Sequence, residues 1–221
     1  MPRPVMPSGT AIRASLARYA AAWTYLAAFI VAEIVYSLLP AQSQATVLAW
    51  ASTNVHNLAR DPVLPMIASA FFAGGALLAW PPLIALALFS ANSVLGNWRT
   101  IATCLAGNVI GTLVSEGILW YRIDDGTMPG SDRLITDVGP SYVVVTAIAV
   151  GLIWGSWLAR AAAALAFVIL IVVGQIFSGL TQLSVSPVGH VTSLIVGATI
   201  GSALAWQRLR RWPTFRQPAS P

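Results

Sequence analysis

The chain contains no lysine, a single cysteine and very little charge of either sign. Only 9% of its residues are charged, where a soluble domain carries about a quarter. That shortage excludes a water-facing globular surface. One cysteine, Cys104, excludes an internal disulfide and says nothing of compartment. The acidic residues number seven, and Asp124, Asp125 and Asp132 lack the spacing of a calcium loop. No metal and no cofactor is expected.

What the chain has in quantity is apolar surface: 57% of its residues are hydrophobic, and the mean hydropathy is +0.75. This composition is that of a polytopic membrane protein. Its 221 residues hold roughly six or seven spans of about 20 residues joined by short loops. All twelve basic residues are arginines, which together with the heavy alanine load reads as codon bias.

The N-terminal arm, residues 1–18, carries Arg3, Arg13 and Arg18. It is too broken for a secretory signal, and the apolar run after it is too long for a signal h-region. That run, Ala20 to Leu39, is the first span, with Glu33 inside it facing the bundle. Residues 41–62 are mixed and read as a loop with at most one amphipathic turn. His56 lies there among Asn and Thr and reads as a solvated hydrogen-bonder. Leu64 to Phe72 reads as a short interfacial helix, because Gly74-Gly75 and Pro81-Pro82 interrupt the apolar run. Further spans are expected from Pro81 towards Leu95, Ile101 to Trp120, Pro140 to Leu158, Ala161 to Leu180 and Val188 to Trp206.

Three of these spans carry glycines four apart: Gly107 and Gly111, Gly151 and Gly155, Gly197 and Gly201. Such pairs let membrane helices approach closely. Asn108, Thr112, Ser115 and Glu116 share the first of these faces; Glu116, near a helix end, is expected to reach water. The polar segment from Tyr121 to Val138, with Asp137 near its end, reads as a solvated external loop.

Two residues stand out for chemistry. Ser141 opens one apolar run after Gly139-Pro140, and His190, 49 positions later, heads the last one. With six spans, both lie at outer helix ends and at similar depth. A serine beside an imidazole is a nucleophile beside its base. Ser141 also sits in a first turn, where unpaired N–H groups and the positive end of the dipole stabilise an oxyanion, with Gly139 supporting the helix start. The plain alternatives are a first-turn serine and a wet interfacial histidine.

Gly139-Pro140-Ser141 resembles the start of the Gly-x-Ser-Gly motif of the rhomboid superfamily, six-helix intramembrane serine proteases. His190 followed by Gly197 is similar to that family's last helix, and Leu95-Gly96-Asn97-Trp98-Arg99 resembles the junction of its second and third core helices. Asp137 to Tyr142 looks closest to an actinobacterial rhomboid-like branch. The resemblance spans roughly residues 20–207. It implies an all-α, six-transmembrane-helix bundle over 19–207, a nucleophile at Ser141 and a base at His190. It also implies that the transmembrane helices of other membrane proteins are substrates or clients.

The pattern departs from the family at four places. Tyr142 stands at the second glycine of the motif, Val145 at a tyrosine that stacks on the histidine, and Ser193 at a glycine. The His-x-x-x-Asn pair of the second helix is absent, since no His or Asn occurs from Pro62 to Ala91. Two readings follow: an intramembrane serine endopeptidase, and an inactive rhomboid-like protein that binds transmembrane segments. A permease ranks below both, because the halves show no repeat and the polar pair lies near one face.

Arginine placement sets the expected orientation. Nine arginines (3, 13, 18, 99, 160, 208, 210, 211 and 216) fall on one side of a six-span chain and three (60, 122 and 133) on the other. The positive-inside rule then puts both termini, including the basic tail 208–221, in the cytoplasm of a multi-pass cell-membrane protein. The basic balance thus speaks for the lipid bilayer as partner, with no nucleic acid. Reporter fusions are expected to place Arg211 and the 121–138 loop on opposite sides; the same side for both refutes this topology.

Overall fold

The computed structural model describes residues 9–210. These fold into helices and turns with no strand among the described residues. A short helix α1 (Gly9–Arg18) leads into α2 (Ala20–Ser37). Three small helices follow, α3 (Ala41–Ala51), α4 (Val55–Arg60) and α5 (Val63–Ala68), the last running into a 3-10 turn at Ser69–Phe71. Then come α6 (Trp80–Leu95), α7 (Asn97–Asp124), α8 (Ser141–Trp154), α9 (Trp157–Val172) and α10 (Val185–Arg210).

Two expectations are corrected here. Residues 41–62 are mostly helical, not a loop. Asn54 caps α4 by accepting the Asn57 N–H at 2.9 Å, and the Asn57 side chain donates to the carbonyls of Ala49 and Ser52. Polar residues that looked like loop chemistry are capping chemistry. The third apolar stretch also extends past its expected ends, to 28 residues. The short helix before Gly74-Gly75 is present as expected, and both glycines adopt positive φ.

Helix α8 fixes the layout. Every residue from Tyr142 to Gly151 is buried, because a helix that is apolar on all sides has no face to give to solvent and must be surrounded. It packs against α6, α7, α9 and α10. Contacts between α8 and α10 advance together along both chains: Tyr142 meets His190, Thr146 meets Ser193 and Gly197, and Val150 meets Gly201. The two helices are therefore parallel. Against α7 the order reverses, with Gly107 beside Thr146 and Gly111 beside Tyr142.

One end of the bundle gathers the start of α2, the α6–α7 junction, the α8–α9 junction and the end of α10. Asn97 bridges the Ala17 carbonyl and the Ala21 N–H, Asn92 donates to the Arg18 carbonyl, and Arg208 donates to the Val94 carbonyl. Arg18, Arg99, Arg160, Arg208 and Arg210 cluster at this end by position; Arg3, Arg211 and Arg216 lie outside the described residues. At the opposite end the buried Glu33 carboxylate accepts the N–H groups of Ala73 (2.6 Å) and Gly75 (3.1 Å). That carboxylate faces the bundle, as expected, and holds the turn that leads into α6.

Helices α2 and α7 and the Val185–Arg208 part of α10 are long and apolar enough to cross a membrane; α6, α8 and α9 are shorter apolar helices of 16, 14 and 16 residues. Large apolar side chains of α7, among them Ile101, Leu105 and Leu113, face outward. Trp98 and Trp120 stand exposed near its two ends. At about 1.5 Å per residue they are separated by about 33 Å, close to the roughly 30 Å of a hydrocarbon core. This is the spacing of an aromatic belt.

The glycines do what their spacing predicts. A β-carbon on Gly197 would lie 2.4 Å from the Thr146 carbonyl oxygen and 2.9 Å from the Ala149 β-carbon. Gly197→Val is expected to destabilise the bundle by about 3 kcal/mol, the upper part of the usual overpacking range. Gly117→Ala, whose β-carbon meets nothing within 4 Å, is expected to change stability by less than about 1 kcal/mol. Unfolding in mixed micelles measures both; equal effects would remove the close-packing account.

Candidate active site

Ser141 owes its position to the residues before it. The Asp137 N–H donates to Ser52 Oγ at 2.9 Å, and the Thr53 N–H donates to the Asp137 carbonyl at 3.0 Å. The Gly139 N–H donates to the Ser69 carbonyl at 2.9 Å, with Gly139 at φ +144°, a region that favours glycine. Pro140 then opens α8, with Ser141 as its first residue. The first intrahelical bond runs from the Val144 N–H to the Pro140 carbonyl, so the N–H groups of Ser141, Tyr142 and Val143 precede the ladder. Ser141, half-buried, lines a cavity of about 10 Å³ with Thr53, Ser69, Asn108, Asp137 and Gly139. That is the size of a single water site.

His190 faces inward from α10 and is 3% exposed. Its Nδ1 lies 2.8 Å from the Ile176 carbonyl in the α9–α10 loop. A carbonyl only accepts, so Nδ1 carries the proton and Nε2 the lone pair. Nε2 is buried and has no hydrogen-bond partner. Ser141 and His190 thus stand at the same end of two parallel, adjacent helices. No hydrogen bond joins them among the described residues. The ring against His190 is that of Tyr142, edge-on with centroids 5.3 Å apart.

Tyr142 belongs to a polar network that sequence reasoning did not assemble. Its hydroxyl donates to Asp137 Oδ2 at 3.1 Å and lies 3.5 Å from Ser115 Oγ. Thr53 Oγ1 donates to both the carbonyl and the carboxylate of Asp137. The expectation of a solvated turn at Asp137 is therefore corrected: this carboxylate is half-buried, held between the 52–54 segment and the start of α8. Burial pushes its pKa up, and the hydrogen bonds from Tyr142 and Thr53 pull it partly back. One signal was present in the sequence: unlike the other aspartates of its segment, Asp137 is followed by Val138-Gly139-Pro140, which leads into an apolar helix.

Other polar residues also differ from expectation. Glu116 does not reach water; it is 2% exposed, and neither carboxyl oxygen has a hydrogen-bond partner. Thr192 and Ser193 spend their hydroxyls on the carbonyls of Val188 and Gly107. Ser184 and Ser186, by contrast, line an outer cavity of about 440 Å³ with Arg122, Asp137 and Ser178. His56 is half-buried on α4. Among the described residues no three His, Cys, Asp or Glu side chains converge as a metal site would require.

The half-buried Asp137 makes stability depend on pH with a definite sign. Its folded pKa lies above the unfolded value of about 3.9, so the native state holds the proton more tightly. The stabilising contribution is full below the unfolded value and is lost as pH rises through the folded one. Asp137→Asn, which mimics the protonated form, is expected to gain thermal midpoint relative to the parent as pH rises from about 4 through the folded pKa of Asp137. A gap that stays constant or shrinks over this window would count against the account.

Comparison with known proteins adds the family. No curated protein and no solved structure gives a significant match. A family model described as rhomboid-like protein matches residues 15–206, which takes in α2 to α10 except the last residues, with Ser141 and His190 inside it. The chain belongs to the rhomboid-like protein family.

Proposed function

We propose that this chain is an intramembrane serine endopeptidase in which Ser141 is the nucleophile and His190 the general base. The observation that carries the reading is the state of His190. Its proton is fixed on Nδ1 by Ile176, and its Nε2 lone pair is buried and unclaimed beside the start of α8. Catalytic hydrogen bonds often form only when substrate is bound, and the first turn of α8 carries both the serine hydroxyl and free backbone donors.

In this reading all six apolar helices cross the cell membrane, with the 1–18 arm and the 208–221 tail in the cytoplasm. The 14 residues of α8 cover only about 21 Å, so a reaction at its outer end lies below the membrane surface. The 440 Å³ cavity lined by Ser178, Ser184 and Ser186 gives water a way to that depth. Substrates are transmembrane helices of other membrane proteins, unwound near the outer leaflet. By family resemblance they have small residues at the scissile bond and a helix-weakening residue below it.

The chemistry balances with water as the only co-reactant. Ser141 Oγ attacks the peptide carbonyl carbon as its proton passes to His190 Nε2, and the carbonyl electron pair moves to oxygen. Collapse of that oxyanion breaks the C–N bond, and His190 returns the proton to the leaving amine. Water then attacks the acyl ester, again through His190, and Ser141 is regenerated.

A second reading, a rhomboid-like protein that binds transmembrane segments without cutting them, draws on a different observation. No hydrogen bond joins Ser141 and His190 among the described residues, and α6 carries no His-x-x-x-Asn pair at its outer end. A fluorophosphonate probe separates the two readings. The purified protein in bilayers is expected to be labelled, and labelling is expected to vanish in both Ser141→Ala and His190→Ala. A parent protein that stays unlabelled yet retains transmembrane peptides supports the binding-only reading.

A further inference from the structure

The absence of the second-helix donor pair leaves an open question in the protease reading: which side chain meets the charge that develops on the carbonyl oxygen. We propose that Asn108 of α7 is the side-chain oxyanion donor for the Ser141 reaction; the proposal rests on that reading. Asn108 projects from the face of α7 that packs on α8 and is buried. It lines the same water-sized cavity as Ser141 and Gly139. Its Nδ2 donates one hydrogen to the Met66 carbonyl at 2.9 Å. A carboxamide nitrogen carries two hydrogens, so this bond orients the group and leaves the second N–H to donate.

The position suits the task. The cavity is bounded on one side by the start of α8, where backbone N–H groups are unpaired, and on another by the Asn108 amide. An oxygen in it would meet a dipole end and a neutral donor together, both held in place by the fold. Preorganised donors are most effective in such a place, because no solvent has to reorient during the reaction. Three of the other side chains lining the cavity are less suited: Tyr142 donates to Asp137. Asp137 only accepts when ionised, and Thr53 already donates to Asp137. On the same helix as Asn108, Ser115 donates to the Thr112 carbonyl.

Asn108 also pins α5, so a loss of activity in a variant must be separated from loosening of that segment. Tyr25 supplies the control: its hydroxyl donates to the Ala70 carbonyl at 2.6 Å, on the turn that continues α5, without lining the Ser141 cavity. The experiment measures fluorophosphonate inactivation of the full chain in bilayers, resolved into probe affinity and the inactivation rate constant. Asn108→Ala is expected to lower the rate constant about 100-fold with affinity unchanged, Tyr25→Phe to stay within about threefold of the parent, and Asn108→His, which keeps a donor, to recover part of the loss. Asn108→Asp, of equal shape but without the donor, replaces Asn108→Ala if the latter fails to fold. Rates for the Asn108 variants within about threefold of the parent, or an equal loss in Tyr25→Phe, overturn the assignment while leaving the protease reading intact. An unlabelled parent protein overturns the protease reading itself, and this assignment with it.

Discussion

Helix α8 has nowhere to place a polar face, and the bundle is arranged around that constraint. With Tyr142 to Gly151 all buried, the helix needs neighbours on every side, and α6, α7, α9 and α10 supply them. Lipid offers no hydrophobic driving force between helices, so contact has to come from close packing. Glycines on α7 and α10 therefore face α8 side chains at distances a β-carbon would not tolerate. Once α8 is enclosed, its first residue is fixed with it, and Ser141 sits half-buried, positioned by packing rather than by bonds of its own.

The second constraint is polar. The start of α8 is tied to the 52–54 segment and to Ser69 through Asp137 and Gly139, so the small helices α3 to α5 form a brace for the site. Buried polar groups cost free energy unless they are paired, and this network is largely paired: Ser52, Thr53, Asp137 and Tyr142 satisfy one another. Among the unpaired buried atoms, those of Glu116 and His190 Nε2 lie at the edge of the same region. For His190 that unpaired nitrogen is what a general base requires.

Much of this was legible in the chain. Apolar runs located the three long apolar helices and the three shorter ones, although α9 ends at Val172, short of the expected Leu180, and the glycine spacings identified contact faces. Gly74-Gly75 and Pro81-Pro82 marked the turn and the start of α6, because glycine and proline act through local backbone rules that need no tertiary context. The helicity of residues 41–60 was not legible, since Asn54 and Asn57 serve as caps only once the chain has turned there. The partial burial of Asp137 and the full burial of Glu116 were hidden for a related reason. A carboxylate in a polar stretch looks solvated until the 52–54 segment, far away in sequence, folds against it. Ser141 and His190 could be picked out as residues, but Tyr142 between their helices could not be foreseen as the ring that meets the imidazole.

Tyr142 and Ser193 also explain how the chain tolerates its departures from the family pattern. Each puts bulk where the pattern has glycine, and each is matched by a glycine on a facing helix. A β-carbon on Gly189 would lie 2.2 Å from the Tyr142 phenol, and one on Gly111 would lie 2.5 Å from Ser193 Oγ. The glycine on the facing helix leaves room for the larger side chain, which a close-packed core would otherwise accept only with strain. The exchange has a chemical consequence. An aromatic ring still meets His190, from position 142 rather than 145, where Val145 is wholly buried in the core. Because that ring is anchored by its hydroxyl to Asp137, the orientation of the imidazole is coupled to the brace formed by residues 52–54. In this chain the segment before α8 and the histidine of α10 are linked through one tyrosine, and a change on either side is felt by the other.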